Sequence, residues 1–237
     1  MKAPERAPGP GGASERLRYS PPPLSAVPDI PGSLETVLDQ LRRGGMVIVC
    51  DDPDRENEGD LCIAAQFVTA EVIAFMAREA RGLICLSLPA DRCDHLDLPL
   101  MVPSNNGCEA TGFCVSIEAR EGVTTGISAA DRARTIQVAM GSSTGPDDLV
   151  RPGHVFPLRA RPGGVLERRG QTEAAVDLTR LAGLQPGGVL CEVVNPDGTM
   201  ARGFELQAFC RRFELPMVTV DDLATHLASV QPAISAV

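Results

Sequence analysis

Residues 46–67 read MVIVCDDPDRENEGDLCIAAQF, and this stretch shows how the chain is built. An apolar run, Met46–Cys50, leads into the acidic segment Asp51–Asp60, and a second apolar run, Leu61–Phe67, follows. Apolar runs of this length predict strands that are buried in a sheet. The acidic segment therefore leaves the end of a buried strand, which is where α/β proteins collect functional groups.

Apolar runs and helical patterns alternate along the rest of the chain. Further strands are predicted at Leu83–Leu88, Val189–Val194 and Met217–Val220, and where Phe113, Val115 and Ile117 alternate. Helices are predicted from Leu34, with Ser33 as N-cap and Gly44 after the end, and near residues 70–80, 129–140, 173–182, 204–213 and 222–229. The interleaving predicts an α/β fold with α+β character, in which helices pack on a mixed sheet, with irregular loops around residues 98–112 and 141–170.

Composition divides the chain into one domain and two tails. Residues 1–32 are rich in Pro, Gly and Ala without periodicity, so we expect a disordered N-terminal tail. A single domain is expected over residues 33–230, followed by a C-terminal tail at 231–237, because 237 residues fit one core. No run approaches the ~18 apolar residues of a membrane span, and the first residues lack a signal-peptide pattern, so we expect a cytoplasmic protein without a membrane partner.

Charge and cysteine content argue against two classes of function. The formal net charge of −9 argues against nucleic-acid binding, which depends on clustered Lys and Arg. An anionic substrate must therefore meet local positive charge. The eight cysteines contain no CxxC pair, which argues against a zinc site, and in a reducing cytosol they are expected to stay free and mostly buried.

The acidic segment concentrates six carboxylates in ten residues. Like charges ~4 Å apart repel by roughly 1 kcal/mol in water and by ~4 kcal/mol near a protein surface, so the segment is either a solvated loop or a site that a cation gathers. In an extended backbone Glu56, Glu58 and Asp60 would share one face, and Arg55 would point away from it. An EF-hand is rejected because its twelfth position would be Ala65, and clustered oxygen ligands favour Mg²⁺ or Mn²⁺ over zinc.

Two further segments carry candidate functional groups, each with a plainer alternative. His154 lies in RPGHVFP between Gly153 and an apolar pair, so it is either a metal ligand or a satisfied core histidine. In QTEAAVDL, Thr172 is placed to cap a helix, which puts Glu173 in the first turn. Glu173 is then either an acid/base group or a carboxylate that the helix dipole stabilises.

The segment GVTTGISAADR is typical of a helix start that follows a Gly/Thr turn. Ser128 and Asp131 have the spacing of a capping box. An anion site at the free N–H groups of the helix is the alternative.

Five ordered segments resemble those of 3,4-dihydroxy-2-butanone 4-phosphate synthase, a lyase of riboflavin biosynthesis: DDPDRENEGD, GVTTGISAADR, RPGHVFPLRA, QTEAAVDL and GVLCEVVNPDGTMAR. The resemblance covers about residues 34–227. It implies a three-layer fold with a mixed twisted sheet, a homodimer with active sites at the subunit interface, and two divalent ions, Mg²⁺ or Mn²⁺, in each active site. It also implies that D-ribulose 5-phosphate is converted to L-3,4-dihydroxy-2-butanone 4-phosphate and formate through metal-assisted enolisation, dehydration and skeletal rearrangement.

The resemblance also implies roles for individual residues. The metal ligands would be Glu56 and His154. The catalytic residues would be Glu173, Asp60, Arg55 and Glu58, with Glu173 as the acid/base group. The substrate-binding residues would be Arg55, Glu56, Asp60, Thr111 and Glu173 and, around the phosphate, Arg151, Pro152, Gly153, His154 and Val155. Asp51 would be a further member of the pocket.

Departures from the family pattern leave alternatives open. Gln171 stands where the family usually has His, Gln137 where it commonly has a basic residue, and Val155 brings no hydroxyl to the phosphate. One alternative is a non-catalytic homologue that binds sugar phosphate or metal and regulates. Another is a phosphatase built on the same acidic loop. Many relatives carry a GTP cyclohydrolase II module, and since this chain ends before one, we expect a monofunctional enzyme.

Overall fold

The computed structural model of the chain describes residues 33–52, 55–107 and 111–230. The tails expected at residues 1–32 and 231–237 lie outside the described residues, so the division of the chain into tails and domain stays a prediction. Over the described residues, no helix combines the length and the apolar character that crossing a membrane requires.

Seven strands form one mixed sheet in the described part of the chain. They are β1 (Val47–Cys50), β2 (Gly59–Ala64), β3 (Cys85–Leu88), β4 (Ile117–Ala119), β5 (Leu149–Arg159), β6 (Gly188–Glu192) and β7 (Met217–Thr219). Their order across the sheet is β4-β5-β3-β6-β2-β1-β7. The β3–β5 and β1–β7 pairs are parallel and the other pairs are antiparallel, which confirms the predicted mixed sheet.

Seven α-helices flank this sheet over the same residues. They are α1 (Leu34–Arg42), α2 (Ala70–Phe75), α3 (Ala90–His95), α4 (Ala129–Met140), α5 (Gln171–Leu181), α6 (Gly203–Phe213) and α7 (Val220–Val230), and a π-helical turn, Met76–Ala80, extends α2. Side chains of α1, α5 and α7 belong to one core cluster and those of α2, α4 and α6 to another. Alternate residues of β1, β2 and β6 enter the two clusters, so the fold has three layers, as the resemblance implied.

Local sequence explains where α1 begins and ends. The Oγ atom of Ser33 accepts a hydrogen bond from the N–H of Thr36 (3.3 Å), which satisfies a donor that the first helical turn leaves free. Val37, Leu38 and Leu41 are buried on one side of the helix. Gly44 follows with φ +77°, a left-handed conformation that glycine adopts without strain. The predicted N-cap and the predicted glycine are both confirmed.

One prediction about the fold is wrong, because residues 141–170 are not an irregular loop. They contain β5, the longest of the described strands, which pairs with β4 and β3. The sequence hides this strand because Pro152 and Gly153 are residues that strand interiors usually lack. Gly153 is required at its position, since a Cβ atom there would lie 2.0 Å from the carbonyl oxygen of Ile117 on β4.

Two other predicted strands have different limits in the structure. The run Leu61–Phe67 ends as a strand at Ala64, and a 3₁₀ turn takes over from Ala65. The alternating segment that begins at Phe113 is a regular strand only from Ile117, and Phe113 makes an isolated bridge with Leu158.

The cysteines are apolar packing residues, as predicted. The seven described cysteines are free, and six of them are buried. Burial raises the pKa of Cys50, Cys191 and Cys210 to about 12, so these thiols stay protonated at neutral pH. Cys108 lies outside the described residues.

One face of the sheet carries a row of acidic residues at its edge. Cys62 of β2 pairs with Leu190 of β6, and both lie in the core cluster that contains α5. Asp60 pairs with Glu192 two residues further along these strands, so both acidic residues point to the α5 face. A concave site forms where the first residues of α5 meet this edge of the sheet.

Candidate active site

A cavity of about 160 Å³ lies between the acidic segment, the sheet and the start of α5. Its polar lining consists of Arg55, Glu56, Glu58, Asp60, Thr111, Arg168, Gln171, Thr172 and Glu192. Its apolar lining consists of Leu83, Cys85, Phe113, Leu158 and Leu190. Among the described residues, four carboxylates and two guanidinium groups therefore border one small space. Five residues proposed from the sequence are brought together here: Arg55, Glu56, Glu58, Asp60 and Thr111.

Asp51 binds the backbone of the acidic segment next to the cavity. Its side chain is fully buried, and the described lining of the cavity does not include it. One carboxylate oxygen accepts from the backbone N–H of Glu58 (2.8 Å), and the other accepts from the N–H of Glu56 (3.0 Å) and from Arg55 Nη1 (2.8 Å). Asp51 thus fixes the backbone of residues 56 and 58, and the place in the pocket that the resemblance implies for it stays a prediction.

The predicted direction of Arg55 is wrong. An extended segment would have turned Arg55 away from the acidic residues, but Asn57 has φ +53° and the backbone N–H of Arg55 is bonded to Asp52 O (2.9 Å). Residues 55 and 56 therefore lie in a turn, and Arg55 faces the cavity. Its Nη1 atom donates to Glu56 (2.9 Å) and to Gln171 Oε1 (2.8 Å).

Asp60 is the most deeply buried of the four carboxylates that line the cavity. It is 7% exposed, and its Oδ1 atom is buried without a hydrogen-bond partner among the described residues. Burial, and then the negative charge of Glu192 and its acidic neighbours, raises the pKa of Asp60 well above its ordinary value. Burial also raises the pKa of Glu58, an effect that Arg202 opposes from 2.8 Å.

These carboxylates fit a hard divalent cation. A cation among them would relieve the repulsion between the negative charges and would compensate the charge of the buried, unpartnered oxygen of Asp60. Over the described residues, no group of three or more His, Cys, Asp or Glu side chains is placed so that the protein alone could hold a metal ion. A bound ion would therefore take further ligands from water or substrate, as Mg²⁺ usually does.

Glu173 lies behind the cavity wall. It is 1% exposed, in the first turn of α5 as predicted, but Gly170 is the N-cap, so the predicted capping role of Thr172 is wrong. The carboxylate accepts from the N–H of Arg161 (3.0 Å) and forms an ion pair with Arg168 Nη1 (2.6 Å). Arg168 Nη2 in turn donates to Thr111 Oγ1 (2.8 Å), so Arg168 connects Glu173 to the lining of the cavity.

His154 belongs to the same sheet face but not to the described lining of the cavity. Phe156 of β5 pairs with Cys85 of β3, and Cys85 pairs with Leu190 of β6. Continuing this register by two residues places His154 beside Leu83 and Leu83 beside Glu192, which pairs with Asp60. These four residues therefore form one row across the sheet. At ~4.8 Å between neighbouring strands, the Cα atoms of His154 and Asp60 are ~14 Å apart. The side chain of His154 is 45% exposed, and its Nδ1 atom lies 2.6 Å from Oε2 of Glu118.

The residues around His154 differ in how they can meet a phosphate. Arg151 and Pro152 are exposed at the start of this segment, and Arg151 Nη2 donates to Leu96 O (2.6 Å). Val155 points to the opposite face of the sheet and is fully buried in the core. Because the side chain of Val155 lies on the other face, a contact with the phosphate would have to come from its backbone, and the binding role that the resemblance implies for Val155 stays a prediction.

The GVTTG segment is a capped helix start, as the plainer interpretation held. The carboxylate of Asp131 accepts from Thr124 N (3.0 Å), Thr124 Oγ1 (2.7 Å) and Gly126 N (3.0 Å). Ser128 Oγ accepts from the N–H of Asp131 (3.0 Å), which is one half of the predicted capping box. The other half is absent because the Asp131 side chain bonds the turn instead of Ser128 N.

The two glutamines that depart from the family pattern have different positions. Gln171 is 6% exposed and lines the cavity, where it holds Arg55. Gln137 is on α4, and its Nε2 atom donates to Val68 O (3.0 Å), away from the described lining of the cavity.

Sequence reasoning missed Glu192, Arg168 and Glu118. Glu192 had a signal, because it is a charged residue inside the apolar run Val189–Val194. Glu118 and Arg168 had none, since their partners His154 and Glu173 are identified only by the fold.

Fold and site together define a class of protein. The chain is a three-layer α/β protein whose carboxylate-rich cavity suits a divalent cation.

Comparison with known proteins identifies the family. The model of the 3,4-dihydroxy-2-butanone 4-phosphate synthase family matches residues 35–226. A protein of that name from Pelobacter propionicus is 58% identical over 201 residues, which are 84% of this chain and 86% of the relative. The riboflavin biosynthesis protein RibBA of Aquifex aeolicus is 58% identical over 196 residues, 82% of this chain, and the chain spans about half (48%) of that relative.

Solved structures agree with the sequence comparison. A crystal structure of 3,4-dihydroxy-2-butanone 4-phosphate synthase in complex with two magnesium ions matches with a TM-score of 0.81 at 43% identity. The match covers 84% of this chain and 98% of that one. The chain belongs to the 3,4-dihydroxy-2-butanone 4-phosphate synthase family.

Proposed function

We propose that the chain converts D-ribulose 5-phosphate to L-3,4-dihydroxy-2-butanone 4-phosphate and formate, a step of riboflavin biosynthesis. The observation that carries the proposal is the cavity in which Glu56, Glu58 and Glu192 border the unpartnered buried oxygen of Asp60. The reaction removes a proton next to a carbonyl group and creates negative charge on sugar oxygens. A site of this kind offers proton acceptors and, with a bound cation, compensating positive charge.

Glu56 and His154 are the proposed protein ligands of Mg²⁺ or Mn²⁺, with two ions in each active site. When bound, such ions polarise a carbonyl group and stabilise enolate-like charge. Glu56 lines the cavity together with Asp60, and His154 lies at the other end of the row that runs across the sheet from Asp60. A sugar phosphate laid along this row would meet both residues, because the row spans ~14 Å.

Asp60, Glu58 and Glu173 are the proposed proton-transfer groups. Burial raises the pKa of Asp60 and of Glu58, which brings each carboxyl group closer to the pH range in which it both accepts and releases protons. Glu173 is the proposed acid/base group. Because Arg168 now occupies one of its oxygens, Arg168 has to shift when substrate binds for that oxygen to exchange a proton.

Arginines supply the local positive charge that an anionic substrate needs in a chain of net charge −9. Arg55 is already paired with Asp51 and Glu56, so it is better suited to orienting sugar hydroxyls and Glu56 than to binding the phosphate. Arg151, with the backbone of Pro152 and Gly153, is the proposed phosphate site at the His154 end of the row. Thr111 is the proposed hydroxyl contact beside Arg168.

A homodimer is the proposed active form, with a second copy covering the open side of the site. Leu83, Met101 and Ile127 are 43%, 46% and 55% exposed, and Leu100 and Val102 beside Met101 are similarly exposed. Leu83 lines the cavity, and Ile127 adjoins Gly126, which lies against His154. Apolar groups gathered beside a polar site are typical of a surface that a protein partner covers.

A formate assay with purified chain, ribulose 5-phosphate and Mg²⁺ tests the activity. We expect one formate for each sugar consumed, loss of turnover with a chelator and recovery with added Mg²⁺. Glu56→Gln should abolish most turnover, whereas Glu121→Gln, an exposed carboxylate outside the site, serves as the matched control. Sugar that binds without conversion would support the regulatory homologue, and release of inorganic phosphate would support a phosphatase.

A further inference from the structure

Glu118, a buried carboxylate that has no part in the proposed reaction, contacts the imidazole of His154. The Nδ1 atom of His154 lies 2.6 Å from Oε2 of Glu118, which is on the neighbouring strand β4. Glu118 is 8% exposed, whereas the side chain of His154 is 45% exposed. One nitrogen of the imidazole is therefore engaged from within the fold, while the ring as a whole stays accessible.

Helix α4 fixes the other oxygen of Glu118. Thr135 is fully buried, and its Oγ1 atom accepts from the N–H of Ala119 (3.0 Å) and donates to Oε1 of Glu118 (3.2 Å). Both oxygens of the carboxylate thus lie within hydrogen-bond distance of a partner. In the arrangement in which Nδ1 donates to Oε2, a neutral imidazole keeps its lone pair on Nε2. No described residue hydrogen-bonds Nε2.

The GVTTG turn closes over this pair. A Cβ atom at Gly126 would lie 1.8 Å from Oε2 of Glu118 and 2.6 Å from Nδ1 of His154, so only glycine allows the turn to pass this close. Asp131 anchors the turn through its bonds to Thr124 and Gly126. The hydrogen bond between Glu118 and His154 is therefore covered by backbone that is itself fixed to the start of α4.

We propose that Glu118 is a positioning residue, which sets the tautomer and the orientation of His154 so that Nε2 binds a divalent metal ion. This inference rests on the proposed role of His154 as a ligand. A carboxylate that accepts the second N–H of a ligating histidine raises the basicity of the ligand and fixes the direction of its lone pair. The GVTTG turn, Asp131 and Thr135 then form the support of a metal ligand.

Binding of Mn²⁺ alone, followed by the electron paramagnetic resonance signal of the free ion, tests the inference on the full chain without an activity readout. Five proteins are compared: wild type, His154→Ala, Glu118→Ala, Glu118→Gln and the control Glu121→Gln. We expect His154→Ala and Glu118→Ala to weaken Mn²⁺ binding, the latter by about 10–100-fold. Glu118→Gln should weaken it less, because the amide oxygen still accepts from Nδ1, and Glu121→Gln should bind as wild type.

A spectroscopic signature separates positioning from general damage to the fold. In the metal-free protein at a pH well above the ordinary histidine pKa of about 6.5, ¹⁵N resonances of His154 should report a proton on Nδ1. In Glu118→Ala the proton should shift toward Nε2, and in the control it should not. A purely structural role for Glu118 would change the stability of the protein without redistributing this proton.

The outcomes distinguish the inference from the proposed function beneath it. Wild-type Mn²⁺ affinity in His154→Ala would remove the ligand role and the inference with it. Weak binding by His154→Ala together with wild-type binding by Glu118→Ala would overturn the inference and leave the ligand role in place. If Glu118→Ala does not fold, the metal-free wild type decides: a His154 proton found on Nε2 would overturn the inference equally, because Nε2 would then have no lone pair for a metal ion.

Discussion

Asp60 is a residue whose charge destabilises the metal-free protein. Because its pKa is raised in the folded state, the unfolded chain loses this proton first, and the free energy of unfolding falls as pH rises from the ordinary carboxyl pKa to the raised value. Asp60→Asn should therefore stabilise the metal-free protein at pH 7, seen as a higher melting temperature, because the amide carries no charge to bury. The same change should remove most of the stabilisation that Mg²⁺ gives to wild type.

Thermal unfolding with chelator and with Mg²⁺ measures both effects of Asp60→Asn. Asp91→Asn, at an exposed position on α3, is the control. A melting temperature for Asp60→Asn below that of wild type in chelator would contradict this account of Asp60.

Glu173 has structural contacts and is also the proposed acid/base group. Its oxygens face two donors, Arg161 N at 3.0 Å and Arg168 Nη1 at 2.6 Å, so the N–H₂ group of a glutamine would face one of them. Glu173→Gln should therefore lower the melting temperature, with a loss of roughly 3–5 kcal/mol for a broken buried ion pair. If Glu173 transfers a proton, kcat should also fall by about 10²–10⁴.

Steady-state kinetics at saturating substrate and Mg²⁺, below the melting temperature, test the chemical role of Glu173. Glu167→Gln, an exposed carboxylate of the same connection, should keep its kcat. A folded Glu173→Gln protein with more than half of the wild-type kcat would rule out proton transfer by this residue.

Among the elements, the turn that contains Gly126 offers a matched pair of substitutions. Gly126 and Gly198 have nearly the same φ, +90° and +89°, but a Cβ atom at Gly198 meets no other atom within 4 Å. Alanine should strain the backbone equally at both positions, by about 1–3 kcal/mol. Only Gly126→Ala should also displace Glu118 and His154.

Mn²⁺ affinity and thermal stability, measured together, separate the two glycine variants. Gly198→Ala should lose stability and keep its affinity, whereas Gly126→Ala should lose both. Equal Mn²⁺ affinities in the two variants would show that the turn does not support the metal ligand.

Elements were predictable from the sequence where one local pattern dominates. The apolar runs of β1 and β6 and the cap of α1 are examples, because burial and capping act within a few residues. β5 was missed because its regular alternation is interrupted by Pro152 and Gly153, whose fit depends on β4. The side on which Arg55 lies depends on a single positive φ at Asn57, which residue spacing does not reveal.

For the whole molecule, the exposed apolar groups beside the site predict how association and activity are linked. Met101→Asp should shift the protein from dimer to monomer and lower kcat/KM, because a buried charge at an interface is costly. Phe204→Asp is the control, since Phe204 is 85% exposed on α6, a helix of the opposite layer. Light scattering combined with the formate assay checks both, and a fully active wild-type monomer would disprove the proposed dimer.

The hydrogen bonds of Asp51 have a consequence for the protein in the cell. Backbone donors of Glu56 and Glu58 and the side chain of Arg55 already fix these residues to Asp51, so we expect that no ion is needed to fold them. Stripping the metal should leave the circular dichroism unchanged, unlike in small domains whose folding depends on their metal. Activity should return as quickly as Mg²⁺ diffuses in, without a refolding delay. A cell short of Mg²⁺ would thus keep the protein folded but inactive. The rate of the proposed reaction would then follow the supply of the ion without new protein synthesis.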